Sequence, residues 1–131
     1  MPIYNNNPIE LYIERTGVAS PAPSTEADVA GLTSTFTLDK PSKVFIDYTC
    51  HWQLNAGATR TAYWKLYIDG VAVDQMFVQD NPGASETHLE GQTIYNTRLA
   101  AGSHTVKIRS VASAASVVAM NGNMKIRIRG L

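Results

Sequence analysis

The feature that most constrains this chain is the alternation in its closing stretch, Lys125-Ile126-Arg127-Ile128-Arg129-Gly130-Leu131. A near-copy stands upstream in His104-Thr105-Val106-Lys107-Ile108-Arg109. Apolar and basic residues repeat with period two, which fits a β-strand with an aliphatic and a cationic face. The closing residues are therefore expected to be core strand rather than tail. Lys107, Arg109, Lys125, Arg127 and Arg129 are expected on the outer faces of two strands, adjacent strands being one arrangement the pattern allows. A chain that ends in its own sheet and shows basic stripes outward reads as a building block that docks onto something.

The same period runs through most of the sequence. Residues 32–38 alternate large apolar residues with Ser and Thr, the pattern of a half-buried strand. In residues 43–53, Val44, Ile46, Tyr48, Cys50 and Trp52 fall on one face and Phe45, Asp47, Thr49, His51 and Gln53 on the other. Residues 61–68 place Ala62, Trp64, Leu66 and Ile68 inward, and Asp69-Gly70 marks a tight hairpin because both of its central positions favour positive φ. Further segments follow at 71–78, 86–99, 104–109 and from 117 onward. About eight strands at this spacing predict an all-β fold, a single antiparallel β-sandwich of the jelly-roll kind. Helical periodicity is nearly absent; residues 27–31 and 111–116 are the places where a short helical turn fits.

The N-terminal part differs. Ile9, Leu11 and Ile13 alternate briefly before a Pro/Ser/Ala stretch over residues 17–25 that resists regular structure. We read residues 1–31 as an extended N-terminal arm and linker and residues 32–131 as the sandwich. A first strand joined to the body by a loop is the alternative.

At 131 residues the chain suits one domain. Eleven basic and eleven acidic residues give zero net charge, which argues against a general hold on nucleic acid. Cys50 is the sole cysteine, so no internal disulfide or paired-thiol metal site is expected. No apolar run approaches the roughly 20 residues of a membrane span, and residues 1–8 do not look like a signal peptide. A soluble protein made in the cytoplasm is expected, with no membrane partner.

Candidate chemistry is sparse. His51, His88 and His104 sit on separate segments, and His88 with Glu90 supplies two ligands where zinc needs three or four. Glu86, Glu90, Asp69 and Asp74 do not stand out as a catalytic carboxylate pair, and no nucleophile elbow or phosphate-binding glycine loop is present. No catalytic, cofactor or metal site is expected, and the chain is read as a non-enzyme. Like charges about 7 Å apart repel by only about 0.6 kcal/mol in water, so an exposed basic stripe costs little. Buried, it demands an acidic partner. Trp52 and Trp64 belong to the core faces. Tyr63 and Tyr67 share the opposite face with Lys65, a strip suited to protein contact and, second, to glycan contact.

Three segments together resemble a known family: Leu66-Tyr67-Ile68-Asp69-Gly70-Val71, Leu99-Ala100-Ala101-Gly102-Ser103-His104-Thr105-Val106-Lys107-Ile108, and the terminal strand through Met124, Ile126 and Ile128. They look like the later strands of small jelly-roll domains serving tailed bacteriophages as capsid decoration (cement) proteins, head fibres and tail-fibre tips. Those domains are similar to the trimeric tumour-necrosis-factor and complement-type jelly rolls. The resemblance covers residues 32–131. It implies a homotrimer held to the virion by its arm or by one end of the sandwich, with the major capsid protein as partner and the capsid surface as location. The absence of a collagen-like or coiled-coil stalk favours a compact protein seated on the shell. The contact residues expected on this reading are Ile3, Tyr4, Ile9, Leu11 and Tyr12 in the arm, with Tyr63, Tyr67, Arg109, Lys125, Arg127 and Arg129 on the sheets. The alternative is a receptor- or carbohydrate-binding module of a phage fibre, using residues 79–85 and the Tyr63/Tyr67 strip.

Overall fold

Period-two alternation becomes nine strands in a computed structural model that describes residues 10–17, 20–21, 26–54, 60–80, 87–112 and 117–130. They are β1 (Glu10–Gly17), β2 (Ser20–Pro21), β3 (Ala27–Leu38), β4 (Ser42–Leu54), β5 (Arg60–Ile68), β6 (Val71–Asp80), β7 (Thr87–Leu99), β8 (Gly102–Ala112) and β9 (Val117–Gly130). Two antiparallel sheets result. Sheet A runs β1-β9-β4-β7, with the two-residue β2 also on β9; sheet B runs β3-β8-β5-β6. From β2 onward consecutive strands cross between the sheets, except at the β5–β6 hairpin within sheet B, in the interlocked Greek keys of a jelly roll. The sandwich closes where β1 lies against β3 and where β6 lies against β7.

The inward faces are those the alternation marks. Val44, Ile46, Tyr48 and Cys50 of β4 are buried against Ala62, Trp64, Leu66 and Ile68 of β5, and Met124, Ile126 and Ile128 of β9 join them. Each fully buried aliphatic side chain contributes about 1.5–3 kcal/mol over its exposed form, so a one-residue slip of β9 would forfeit several such terms and bury its cations instead. The Tyr48 hydroxyl, deep in this core, donates to Asp74 Oδ2 at 3.1 Å and so ties β4 of sheet A to β6 of sheet B. Burial, reinforced by that carboxylate, pushes the Tyr48 phenol far above its ordinary value.

Three expectations change. Residues 27–31 are strand rather than helical turn. Gly31 takes φ 84 within a register break between Asp28 and Thr33, so the irregularity is a bulge. At the other proposed turn, residues 111–112 belong to β8, and residues 113–116 lie outside the described ones. The two basic stripes are not neighbours: β8 belongs to sheet B and β9 to sheet A. Alternation fixes which way a side chain points and carries nothing about which sheet its strand joins. At the N-terminal end, β1 pairs with β9 from Glu10 opposite Arg129 to Gly17 opposite Gly122. The Asp69-Gly70 hairpin has the expected turn, with φ 52 and 82.

Sheet separation is set where Trp64 crosses to sheet A. One rung of that sheet reads Gly17, Gly122, Cys50, Gly91 across β1, β9, β4 and β7. A Cβ on Gly122 would fall 2.6 Å from the Thr49 carbonyl oxygen and 2.6 Å from Cζ3 of Trp64. The indole occupies the space that the missing side chain leaves. Gly122→Ala should therefore destabilise the fold by about 1–3 kcal/mol, as overpacked cores do, read as a lowered urea midpoint with unchanged slope. Pairing it with Trp64→Leu should recover part of that loss.

Candidate functional site

The two outer faces treat their charges in opposite ways. On sheet B, Glu26 and Asp28 at the entry to β3 gather the cations of β5 and β8. Lys65 Nζ lies 3.2 Å and Arg109 Nη1 3.5 Å from Glu26 oxygens, and Lys107 Nζ lies 3.5 Å from Asp28 Oδ2. Arg109 Nε donates to Asp28 Oδ1 at 2.9 Å, and the Tyr67 hydroxyl donates to Glu26 Oε2 at 2.5 Å. The Arg109 guanidinium also covers the Tyr67 ring at 5.3 Å. That hydrogen bond from Tyr67, aided by Lys65 and Arg109, holds the Glu26 carboxyl below its ordinary range and correspondingly raises the Tyr67 phenol. Tyr67 and Arg109, both expected as contact residues, are thus engaged within the chain. Tyr63 stands at the margin of this cluster, with Lys65 Nζ 6.0 Å from its ring centroid. Its ring packs 5.8 Å from that of Phe77, which is 57% exposed.

On sheet A the cations gather around an aromatic ring. Phe45 stands on the outer face of β4, with Lys43 Nζ at 5.3 Å from its ring centroid and the guanidinium carbons of Arg127 and Arg129 at 5.6 and 5.7 Å. Cations over the face of a phenyl ring gain about 0.5–1 kcal/mol each where exposed. The register explains the grouping. Lys43 lies opposite Arg98 on β7 and Arg129 on β9, and Phe45 lies opposite Asn96 and Arg127. The next rung places Asp47 between Ile94 and Lys125. Among the described side chains this face holds Lys43, Arg98, Lys125, Arg127 and Arg129 with the carboxylates Asp47 and Glu90. On β1, Glu10 stands opposite Arg129, Tyr12 opposite Arg127 and Glu14 opposite Lys125.

Lys125, Arg127 and Arg129 therefore share one site, while Arg109, Tyr63 and Tyr67 lie on the other side of the sandwich. Leu11 and Tyr12 are strand residues of β1, opposite Ile128 and Arg127. Ile3, Tyr4 and Ile9 lie outside the described residues. Phe45, Lys43 and Arg98 were not singled out from the sequence. The available signal was a phenylalanine on the otherwise polar face of 43–53, where alternation leaves it no core to enter.

Farther along the same face, Thr49, His51, Glu90, Gln92 and Asn123 line a depression of about 580 Å³, with backbone at Cys50, Gly91 and Gly122. Its lining is polar. His51 Nδ1 lies 3.6 Å from Glu90 Oε1, and Gln92 Nε2 donates to Asp47 at 3.1 Å. Among the described residues no three His, Cys, Asp or Glu side chains cluster as metal ligands. Cys50 is 2% exposed and burial pushes its thiol well up, so it is held as a neutral core residue.

The two turn motifs behind the family resemblance meet at one end of sheet B. His104 Nδ1 lies 2.7 Å from Asp69 Oδ2 and its Nε2 lies 2.8 Å from the Ala100 carbonyl. Both partners are acceptors, so the contacts favour the ring with both nitrogens protonated. Asp69 Oδ1 accepts from the Thr105 amide at 2.8 Å, and the Asp69 amide donates to the Thr105 carbonyl at 2.9 Å. The β5–β6 hairpin is thereby stapled to the start of β8.

No protein-family model matches this chain, and no curated protein matches it in sequence. Its fold is similar to part of dimeric latent PorU from Porphyromonas gingivalis, with TM-score 0.56 and 10% identity over 93% of this chain and 13% of that one. It is also similar to the VP2 subviral particle of infectious bursal disease virus, with TM-score 0.51 and 11% identity over 95% of this chain and 33% of that one. The Gx strain of the same virus gives 0.50 and 12% over the same shares. The chain spans a third or less of those proteins' length, and at these identities the likeness is one of fold.

The staple makes stability depend on pH in a defined direction. Asp69, and secondly the Ala100 carbonyl, raise the His104 pKa above its ordinary 6.5. His104 and the Thr105 amide lower that of Asp69 below 3.8. A raised histidine contributes fully below pH 6.5 and loses its contribution as pH rises through the folded value; a lowered aspartate contributes above pH 3.8 and loses it as pH falls. The pair should therefore stabilise most between those two pH values. Urea titrations of the wild type against His104→Phe should show the difference shrinking above pH 6.5; a constant difference would rule out the charged staple.

Proposed function

We propose that this protein is a structural component of a virion, a decoration protein that docks on an acidic region of the capsid shell and braces it. The observation that carries this reading is the outer face of sheet A, where Phe45 is surrounded by Lys43, Arg127 and Arg129 within 5.3–5.7 Å. Protein interfaces are enriched in arginine and aromatic residues, and a ring held among cations offers both at one spot. A partner rich in carboxylates fits this spot, because a cation that is desolvated without an anion beside it costs several kcal/mol. The jelly-roll fold agrees with such a role, and the trimer implied by the family resemblance would multiply each contact by simultaneous engagement.

The test is electron microscopy of virus particles made with and without this gene. We expect sandwich-sized density on the outer shell, and shells that break at lower temperature without it. Phe45→Ala combined with Arg127→Glu should release the protein from the shell while leaving it folded by circular dichroism. Tight retention of that variant, or absence of the density, overturns the reading.

Two separate observations favour a second reading, a glycan-binding module: on sheet A the polar depression lined by Thr49, His51, Gln92 and Asn123, and on sheet B the ring of Tyr63 beside the exposed Phe77. Specific saccharide binding by the isolated chain on a glycan array would support it.

A further inference from the structure

A jelly roll ends each sheet in two edge strands, and unpaired edges invite other strands. β3 and β6 belong to strand pairs with register breaks, between Asp28 and Thr33 in β3 and at Leu66/Tyr67 where β5 meets β6. Such bulges spoil a template. β1 is eight residues long and lies against β3. β7 lies against β6 where the sandwich closes, but its own ladder has no register break. It is thirteen residues long, matches β4 rung for rung from Leu54 opposite Thr87 to Ser42 opposite Leu99, and contains neither proline nor lysine. Alternate residues along it turn amide and carbonyl away from β4, and among the described residues no strand is hydrogen-bonded beyond it. Near its midpoint Ile94 is 54% exposed on the outer face.

The exposed residues are arranged symmetrically about Ile94. Two places away on either side stand amides, Gln92 and Asn96; four places away stand opposite charges, Glu90 and Arg98. With a second copy laid antiparallel and Ile94 on the two-fold axis, Ile94 covers Ile94. Gln92 then meets Asn96, and Glu90 meets Arg98, each pair occurring twice. On the inward face Thr93 meets Tyr95 and Gly91 meets Thr97. Centring one residue to either side sets Ile94 against an amide and separates Glu90 from Arg98. Only the first register matches apolar with apolar and charge with countercharge.

We propose that β7 is a two-fold pairing edge, on which a second copy of this chain adds its own β7 in that register to join two A sheets into one. An isologous contact of this kind needs a self-complementary strand, and residues 90–98 are one. The contact is independent of shell docking, since it leaves the Phe45 face outward. Alone it gives dimers; combined with a three-fold contact elsewhere it gives hexamers.

Sedimentation equilibrium of the full chain from micromolar to millimolar concentration tests it. Even-numbered species are expected. Arg98→Glu sets like charges opposite each other at both ends of the pair and should raise the dissociation constant about tenfold. Glu90→Arg should do the same, and the double exchange Glu90→Arg/Arg98→Glu should restore wild-type association. Ile94→Cys should form an intermolecular disulfide on oxidation, which the buried Cys50 of the wild type does not. All positions are exposed, so circular dichroism should show each variant folded. A wild type found only as monomer or trimer overturns the proposal, as does a double exchange no tighter than its parents.

Discussion

The spacing of the two sheets depends on one contact, the Trp64 indole lying on a rung of sheet A that has almost no side chains. An indole at the centre of one sheet needs a matching void in the other, and Gly122 supplies it, in a rung that reads Gly17-Gly122-Cys50-Gly91. The contact joins the middle of the sequence to its C-terminal strand. The registers then fix everything else. With Gly122 facing Trp64, the buried places of β9 fall to Met124, Ile126 and Ile128, and Lys125, Arg127 and Arg129 must point outward.

What the outward cations can do is decided by their neighbours. On sheet B they are consumed in holding residues 26–28 to the sheet, where Glu26 and Asp28 serve Lys65, Lys107 and Arg109. A partner arriving there would have to break ion pairs that already exist. Exposed pairs of this kind are individually worth about 0.2–1 kcal/mol, but a network sharing two carboxylates also fixes the entry to β3. On sheet A, Lys43, Arg127 and Arg129 gather over the Phe45 ring instead. The same fold thus ties its cations to a strand entry on one face and groups them round an aromatic ring on the other.

Much of this was legible in the alternation, and the exceptions have physical reasons. In and out were readable for β4, β5, β8 and β9 because a side chain's face depends only on its parity along the strand. The partner of each strand was not readable, which is why two similar basic stripes were expected as possible neighbours and lie on opposite sides. The bulge at Gly31 looked like a break in strand pattern because β3 advances five residues there, from Asp28 to Thr33, while β8 advances two, from Arg109 to Lys107, and the odd difference shifts parity. The His104–Asp69 staple joins residues 35 apart in the sequence, and nothing local to either announces the other. Phe45 was assigned to the correct face, yet a lone apolar residue among polar ones gains meaning only once Arg127 and Arg129 are seen to flank it.

The motifs behind the family resemblance turn out to serve the fold. Asp69 adopts a positive φ and uses both carboxylate oxygens locally, on His104 and on the Thr105 amide. Any sandwich that brings this hairpin beside the start of β8 meets the same problem of loose turns, so the pair identifies an architecture rather than a task. Residues that the fold has no need of are better guides to function. After the core, the turns and the tethers of sheet B are set aside, what stands out is Phe45 with its cations and the symmetric set Glu90, Gln92, Ile94, Asn96, Arg98. Both belong to sheet A, and neither lowers the energy of the isolated subunit by much: exposed cation–π contacts are weak, and an exposed isoleucine gains nothing until it is covered. Features whose free energy is realised only on contact are the ones an assembling protein would carry, and here they lie on one sheet at adjoining positions.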